Sequence, residues 1–326
     1  LSVKDKAFNT LIGLVTAVDR IQVNYANTEG IYLPGYTNSI GFGGTFKPTA
    51  GFTFGSQNDV REIAARKGWL TMYQDFNEEY TKTQNEQLDI QAGIRLLPGL
   101  TIDLIANRLY SETYTENFRV DQNTLQYQSI TPYSFGNFNI STNMIRTAFQ
   151  PSSRDVSSTF DQFKENRLII ANRLATRAGI NINNPDNLDE NGYPIGFGPN
   201  SQDVLLPSFL SAYTGEDASS SSLKTFRDTP LPNWNLKYTG LMRLNWFKER
   251  FTRFSIQHAY SSSFTVNQFQ SNLQYNRLSP YSEFNLDQNG NFNSELIIAN
   301  VNLIEQFTPL LKIDFEMKNS VSILAE

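Results

Sequence analysis

The chain of 326 residues carries one histidine, His258, and no cysteine. Those two counts exclude disulfides, thiolate metal sites, multi-histidine metal centres and most catalysis that depends on an imidazole. His258 is in phase with Ile256 and Tyr260 on the apolar face of an alternating segment, which reads as a packed neutral ring rather than a ligand or base. Carboxylates are plentiful: Glu78-Glu79, Asp59 with Glu62, and Asp186, Asp189 and Glu190. They sit in polar stretches without a supporting motif, so paired-carboxylate hydrolysis has only spacing behind it. No GxSxG, GxxxxGK[ST] or HExxH occurs, and the glycines at Gly41, Gly43 and Gly44 do not form a dinucleotide fingerprint. One segment, Asn187-Leu188-Asp189-Glu190-Asn191-Gly192, resembles the first half of a calcium loop. Asn187, Asp189 and Asn191 place oxygens at alternate positions and Gly192 stands at the sharp turn. The closing position, where a bidentate Glu belongs, is Gly198, so the pattern fails. Asp287-Gln288-Asn289-Gly290 reads as a turn. The expectation is a protein that is not an enzyme and holds no metal or cofactor.

Composition narrows the class further. A net charge of −5 and a pI near 5.1 argue against a nucleic-acid partner, which calls for a basic excess. The hydrophobic share of 39% and aromatic share of 13% argue against a wholly disordered chain, although mean hydropathy is −0.40. No apolar run is long enough for a membrane-spanning helix. The chain opens without Met or a charged-then-apolar leader and stops inside an alternating pattern, which reads as a fragment of something longer.

What recurs is a run of about ten residues alternating apolar and polar, the period of an extended strand. Leu88, Ile90, Ala92, Ile94 and Leu96 share one face, and Gln87, Asp89, Gln91, Gly93 and Arg95 the other. After Leu97-Pro98-Gly99 the alternation resumes, with Leu100, Ile102, Leu104 and Ala106 against Thr101, Asp103 and Asn107. A hairpin with a three-residue turn pairs Leu96 with Leu100, Ile94 with Ile102 and Ala92 with Leu104, which sets both apolar rows on one side. A second hairpin places Leu236, Tyr238, Met242, Leu244 and Trp246 opposite Lys237, Thr239, Arg243 and Asn245. It turns around Lys248, Glu249 and Arg250. Phe254, Ile256 and Tyr260 then alternate with Arg253, Ser255 and Gln257. Further strands are expected at about 18–27, 136–146, 268–276, 297–307 and 310–326.

Between them lie long inserts at 28–72 and 147–232, with short helices expected over 59–67, 156–178 and 204–213. Structureless loops of this length argue against a compact soluble domain. They suit an all-β transmembrane antiparallel barrel, whose connections are short on one side and long on the other. Strands of roughly 9–11 residues with aromatic ends fit the same architecture. On this reading 1–326 is part of one barrel domain, with strands in 73–146 and 233–326. Leu88, Ile90, Ile94, Ile102, Leu104, Leu236, Met242, Leu244, Phe254 and Ile256 face lipid. Gln91, Arg95, Asp103, Asn107, Lys237, Arg243 and Gln257 face a watery lumen, and the inserts fill that lumen or cap it.

The stretches NTLIGLVTAVDRIQVNY (9–25), GFTFGSQNDVR (51–61), LDIQAGIRLLPGLTIDL (88–104), NSQDVLLPSFLSAYTG (200–215) and LPNWNLKYTGL (231–241) together resemble the SprA, or Sov, family of gliding-motility proteins. The similarity spans nearly the whole chain. It implies a region toward the carboxyl end of a much longer protein, within a very large barrel that forms the outer-membrane translocon of the type IX secretion system. The resemblance further implies folded cargo marked by a carboxy-terminal signal domain, a PorV-type shuttle barrel and a periplasmic plug protein as partners, and no catalysis. Two alternatives remain: a porin or TonB-dependent transporter barrel for small solutes, and a secreted β-rich carbohydrate-binding or hydrolytic domain.

Overall fold

The structure, a computed structural model, describes residues 17–38, 46–153 and 156–326. The start of the 9–25 stretch and the glycines at 41, 43 and 44 therefore lie outside the described residues. The strands are β1 (Val18–Tyr32), β2 (Tyr80–Leu97), β3 (Leu100–Glu116), β4 (Phe118–Val120), β5 (Tyr127–Ser129), β6 (Tyr133–Ser141), β7 (Asn233–Tyr238), β8 (Phe251–Ser271), β9 (Leu296–Phe307), β10 (Lys312–Met317) and β11 (Ser322–Ala325). The helices are α1 (Ala50–Thr53), α2 (Arg61–Arg66), α3 (Ser158–Arg177), α4 (Gln202–Thr214) and α5 (Asn245–Arg250). None of them is long and apolar enough to cross a membrane.

Among the described residues nine strands form one antiparallel sheet, and β4 with β5 forms a separate hairpin. Two positions in the sheet are each filled by two strands end to end. β6 pairs with the Arg108–Thr115 part of β3 and β7 with its Leu100–Ile105 part, and both then pair with β8. β9 and β10 likewise pair with successive parts of β8, either side of a break at 308–311. The segment 142–232 thus leaves the sheet in mid-position and re-enters it, and Leu231 N donates to Ser141 O at 3.0 Å across the gap. β1 forms one edge and β9 with β11 the other, so the described sheet does not close on itself.

Connections are short at one end of the sheet (98–99, 239–250, 318–321) and long at the other (33–79, 117–132, 272–295). The tightest is Pro98-Gly99. Pro98 supplies the fixed φ of the first turn position, and Gly99 has φ +90°, as a type II turn requires of the second. A Cβ at position 99 would also lie 2.6 Å from Gly240 N. Ile94 faces Ile102 and Ala92 faces Leu104 as the alternation predicts. Leu100, however, faces Leu97 rather than Leu96, because the turn has two residues and the register shifts between Ile94 and Leu97.

Other expectations need correction. Met242, Arg243 and Leu244 are not strand positions: Gly240–Arg243 is a 3₁₀ turn and Leu244 caps α5. The strand stops at Tyr238, because the Thr239-Gly240 step turns the chain under Gly99, and Lys248–Arg250 is the end of a helix rather than a tight turn. The separate strand at 268–276 is the end of β8, the 136–146 strand is β6 and stops at Ser141, and 310–326 is a hairpin of β10 and β11. β1 also runs on to Tyr32, into the region read as insert. The three helices read over 59–67, 156–178 and 204–213 appear as α2, α3 and α4.

Candidate functional site

Residues paired across an antiparallel ladder point to the same side, so the register assigns every strand side chain to a face. One face carries Ile21, Val23 and Tyr25 opposite Ala92, Ile90 and Leu88, then Leu104 and Ile102, then Trp234 and Leu236. It continues through Ile256 and Phe254 to Ile313, Phe315 and Ile323. The other face carries Gln91, Arg95, Asp103, Asn107, Asn235, Lys237, Gln257 and Asp314. Its apolar exceptions include Ile105, Leu109, Phe135, Ile297, Ile304 and Leu324, all exposed. The expected lipid-side positions that lie on strands are therefore gathered on one side, and the expected lumen-side positions that lie on strands on the other.

The apolar-row face has two halves. Toward the short turns it is bare: Ile21 is 65% exposed and Val23 60%. On β2 this belt runs from the turn to Leu88, whose partner on β3 is Arg108, and Arg108 Nη1 meets Glu86 Oε2, the next residue on the same face of β2, diagonally at 3.0 Å. Beyond that rung the same face is covered. Phe138, Ile140, Phe264, Val266 and Phe269 are fully buried beneath Leu210 of α4 and Phe226. Phe269 fits because Gly136 opposite it has no side chain; a Cβ there would lie 2.6 Å from the Phe269 ring. The first insert covers the same face beside β2 and β3, with Ala64 and Ala65 of α2 packed in a cluster with Tyr80, Tyr114 and Ile31. The described parts of both inserts that reach these clusters thus lie on the apolar-row side, not on the Gln- and Asn-rich side expected to line a lumen. The large aromatic side chains that pack against the second insert, Tyr110, Phe138, Phe264 and Phe269, all stand on that face.

Each insert is fixed by polar bonds as well. Ser157 Oγ accepts from Phe160 N at the start of α3, Asn166 Nδ2 donates to Ser211 Oγ of α4 at 2.8 Å, and Gly215 closes α4 in a left-handed conformation. In the first insert Arg61 pairs with Asp59 at 2.7 Å and with Glu116, and its guanidinium lies 4.5 Å from the Tyr80 ring centre. Glu116 is 1% exposed and accepts from Tyr114 at 2.7 Å, from Tyr127 and from Ser129. Burial alone would raise its carboxyl pKa. The three hydroxyl bonds and the Arg61 charge outweigh burial and hold it below the ordinary carboxylate range. Nothing in the sequence pattern marks Glu116, because its partners come from four separate positions.

The residues singled out for chemistry serve structure. His258 Nδ1 lies 2.6 Å from Leu310 O at the break between β9 and β10, with its ring between Trp234 and Phe307. Asp189 Oδ1 accepts from Asn191 N and Tyr193 N, both at 2.8 Å, and Asn187 Nδ2 donates to Asn181 O. Among the described residues no three His, Asp or Glu side chains gather to hold a metal ion. Asp59 is tied to Arg61, and Glu78 accepts from the Tyr32 hydroxyl at 3.1 Å. A cleft of about 910 Å³ is lined by residues of β3 and β6, the 117–132 and 272–295 connections, and Phe226 of the second insert. Of its phenols, Tyr110 donates to Glu112 at 2.9 Å and Tyr133 to Gln270 at 2.8 Å. What the arrangement offers is a sheet with one apolar-row face and one polar face.

No protein-family model matches this chain, and no curated protein matches it.

Proposed function

We propose that this sheet is a section of the wall of a very large outer-membrane β-barrel, the protein-conducting translocon of the type IX secretion system. The observation that carries the membrane part is the register. One apolar belt crosses every pairing from β1 to β11 at the short-turn end, backed by a polar face. Short connections on one side and long ones on the other match the asymmetry of outer-membrane barrels. The belt on β2, from Leu88 to Leu97, has the length a tilted strand needs to cross the hydrocarbon. A sheet that passes through so many strands without closing suits a wide pore.

The cargo part rests on the five stretches that resemble the SprA family. They coincide with structural landmarks: the Pro98-Gly99 turn, α4 with its Gly215 cap, and β7 with the Gly240 turn. In this reading a folded protein passes along the polar face, where Asn, Gln, Ser and Thr side chains stay hydrated and exposed apolar side chains such as Ile105 and Ile304 are interspersed among them. The barrel performs no chemistry; it excludes lipid from the passage, and a PorV-type shuttle and a plug protein gate its two ends. The test is genetic. Disrupting the gene in its own bacterium should leave folded cargo in the periplasm and abolish gliding where the organism glides. Normal secretion with a defect in small-solute uptake would contradict the translocon and favour a porin.

A further inference from the structure

The two-faced register puts the helical insert 142–232 on the same side as the bare belt. We infer that the tip of this insert, around Phe149, Val156 and Phe160, is an interfacial anchor that dips into the outer leaflet of the bilayer. The inference rests on the reading of the belt as lipid-facing.

The geometry that carries it is a row of aromatic rings where the belt meets the covered half. Trp234 stacks on Tyr260 with centroids 4.3 Å apart, Tyr260 meets Phe307 at 5.1 Å, and Phe307 meets Phe149 at 5.3 Å. On β8 the next belt-side neighbour on this face is His258, with Ile256 beyond it, and Phe264 on the other side is wholly buried under the insert. Tyr260 is amphipathic in place: its hydroxyl accepts from Met144 N and donates to Glu305, both at 2.7 Å, while its ring lies against Trp234. Trp and Tyr rings with one apolar and one wet side are the residues that sit at membrane–water boundaries. Phe149 extends that row off the wall.

The tip is built to hold its side chains outward. Phe149 is 70% exposed, Val156 66% and Phe160 48%. Gln150 Oε1 accepts from Ser158 Oγ at 3.0 Å and from Thr159 Oγ1 at 2.9 Å, and Ser153 N donates to Val156 O at 2.8 Å. Three large apolar side chains are therefore displayed on a hydrogen-bonded tip. The rings that continue from this patch lead to the belt, so the occupant with the right chemistry is the headgroup–acyl boundary of the same bilayer.

Because the chain has no cysteine, single cysteines report cleanly. The full-length protein, purified as it assembles, would carry Phe149→Cys, Phe160→Cys, Ile256→Cys or Gln257→Cys, each labelled with NBD. Each would be reconstituted in phosphatidylcholine vesicles containing lipids spin-labelled either near the headgroup or near the chain end. Val156→Cys serves where Phe149→Cys disturbs the fold. The tip positions should be quenched several-fold more by the headgroup-proximal label than by the deep one. Ile256 should be quenched by at least one label and Gln257 by neither. Tip positions left unquenched while Ile256 is quenched would overturn the anchor and leave the belt standing. An unquenched Ile256 would instead remove the membrane reading on which the anchor rests.

Discussion

The two halves of the apolar-row face differ in what interrupts their alternation. In the short-turn half, β2 runs Leu88, Ile90, Ala92, Ile94 with no polar residue on that side, and nothing in the described chain covers it. In the insert half the same face carries Lys82, Gln84, Glu86, Arg108, Glu112 and Glu116 among its tyrosines, and inserts lie over it. A surface that meets protein can hold charge wherever a partner reaches it, as Arg61 reaches Glu116. A surface that meets hydrocarbon cannot, because an unpaired charge there has no solvent. On the proposed reading, the diagonal pair Glu86–Arg108 is where one regime gives way to the other. The alternation tells which side a residue faces; on the proposed reading, the stretch free of polar residues is the part that meets lipid.

The sharpest contrast comes from truncation. Phe264→Ala in the covered half should cost about 3–5 kcal/mol, because the cavity stays empty. Ile102→Ala in the belt should cost much less, because acyl chains refill the space and are as apolar as the side chain removed. Thermal unfolding of the assembled protein checks both, and equal losses would erase the distinction between the halves.

Breaking the ion pair under the first insert should cost about as much. Glu116→Ala leaves Arg61 without its buried partner, a loss of about 3–5 kcal/mol. The same carboxyl sets a pH dependence. Its folded pKa lies below the unfolded value, so the stability it contributes is complete above the ordinary Glu range, about pH 4.3. It is lost as pH falls through the depressed folded value. Glu116→Gln should flatten that acid limb of the melting-temperature profile; an unchanged limb would mean the cage is not what acid dissolves.

Arginine in the belt comes next. Ile94→Arg should cost about 2–4 kcal/mol near mid-depth, read as less assembled barrel in the outer membrane, while Gln91→Arg on the polar face should leave assembly unchanged. The smallest effect concerns metal. Asp189 already accepts two backbone N–H groups, so chelation should leave the melting temperature where it was, and a calcium-dependent rise would overturn that account.

How much of this was legible in the sequence follows from the range of each interaction. The faces were legible because period two is local: Ile94 and Ile102 meet across a two-residue turn. Helices α3 and α4 were legible from turn-spaced apolar residues. Met242–Leu244 misled because its apolar–polar–apolar alternation fits a strand as well as a turn, and only the meeting of Gly240 with Gly99 decides it. The sharing of one sheet position by β6 and β7 was not legible, since no local signal brings Leu231 back to Ser141. Nor was the side on which the inserts lie, which depends on Phe226 and Leu210 finding Tyr110, Phe138 and Phe269 across the fold.

The central claim is that the face carrying Ile94 and Ile102 meets lipid and the face carrying Gln91 and Asp103 meets water. Cysteines at these four positions, in the full-length protein in native outer membranes, test it directly. A lipophilic thiol probe should modify the positions of Ile94 and Ile102, and a membrane-impermeant, water-soluble reagent those of Gln91 and Asp103. Equal modification of all four by the water-soluble reagent would contradict the account, because a strand wetted on both faces is not part of a barrel wall.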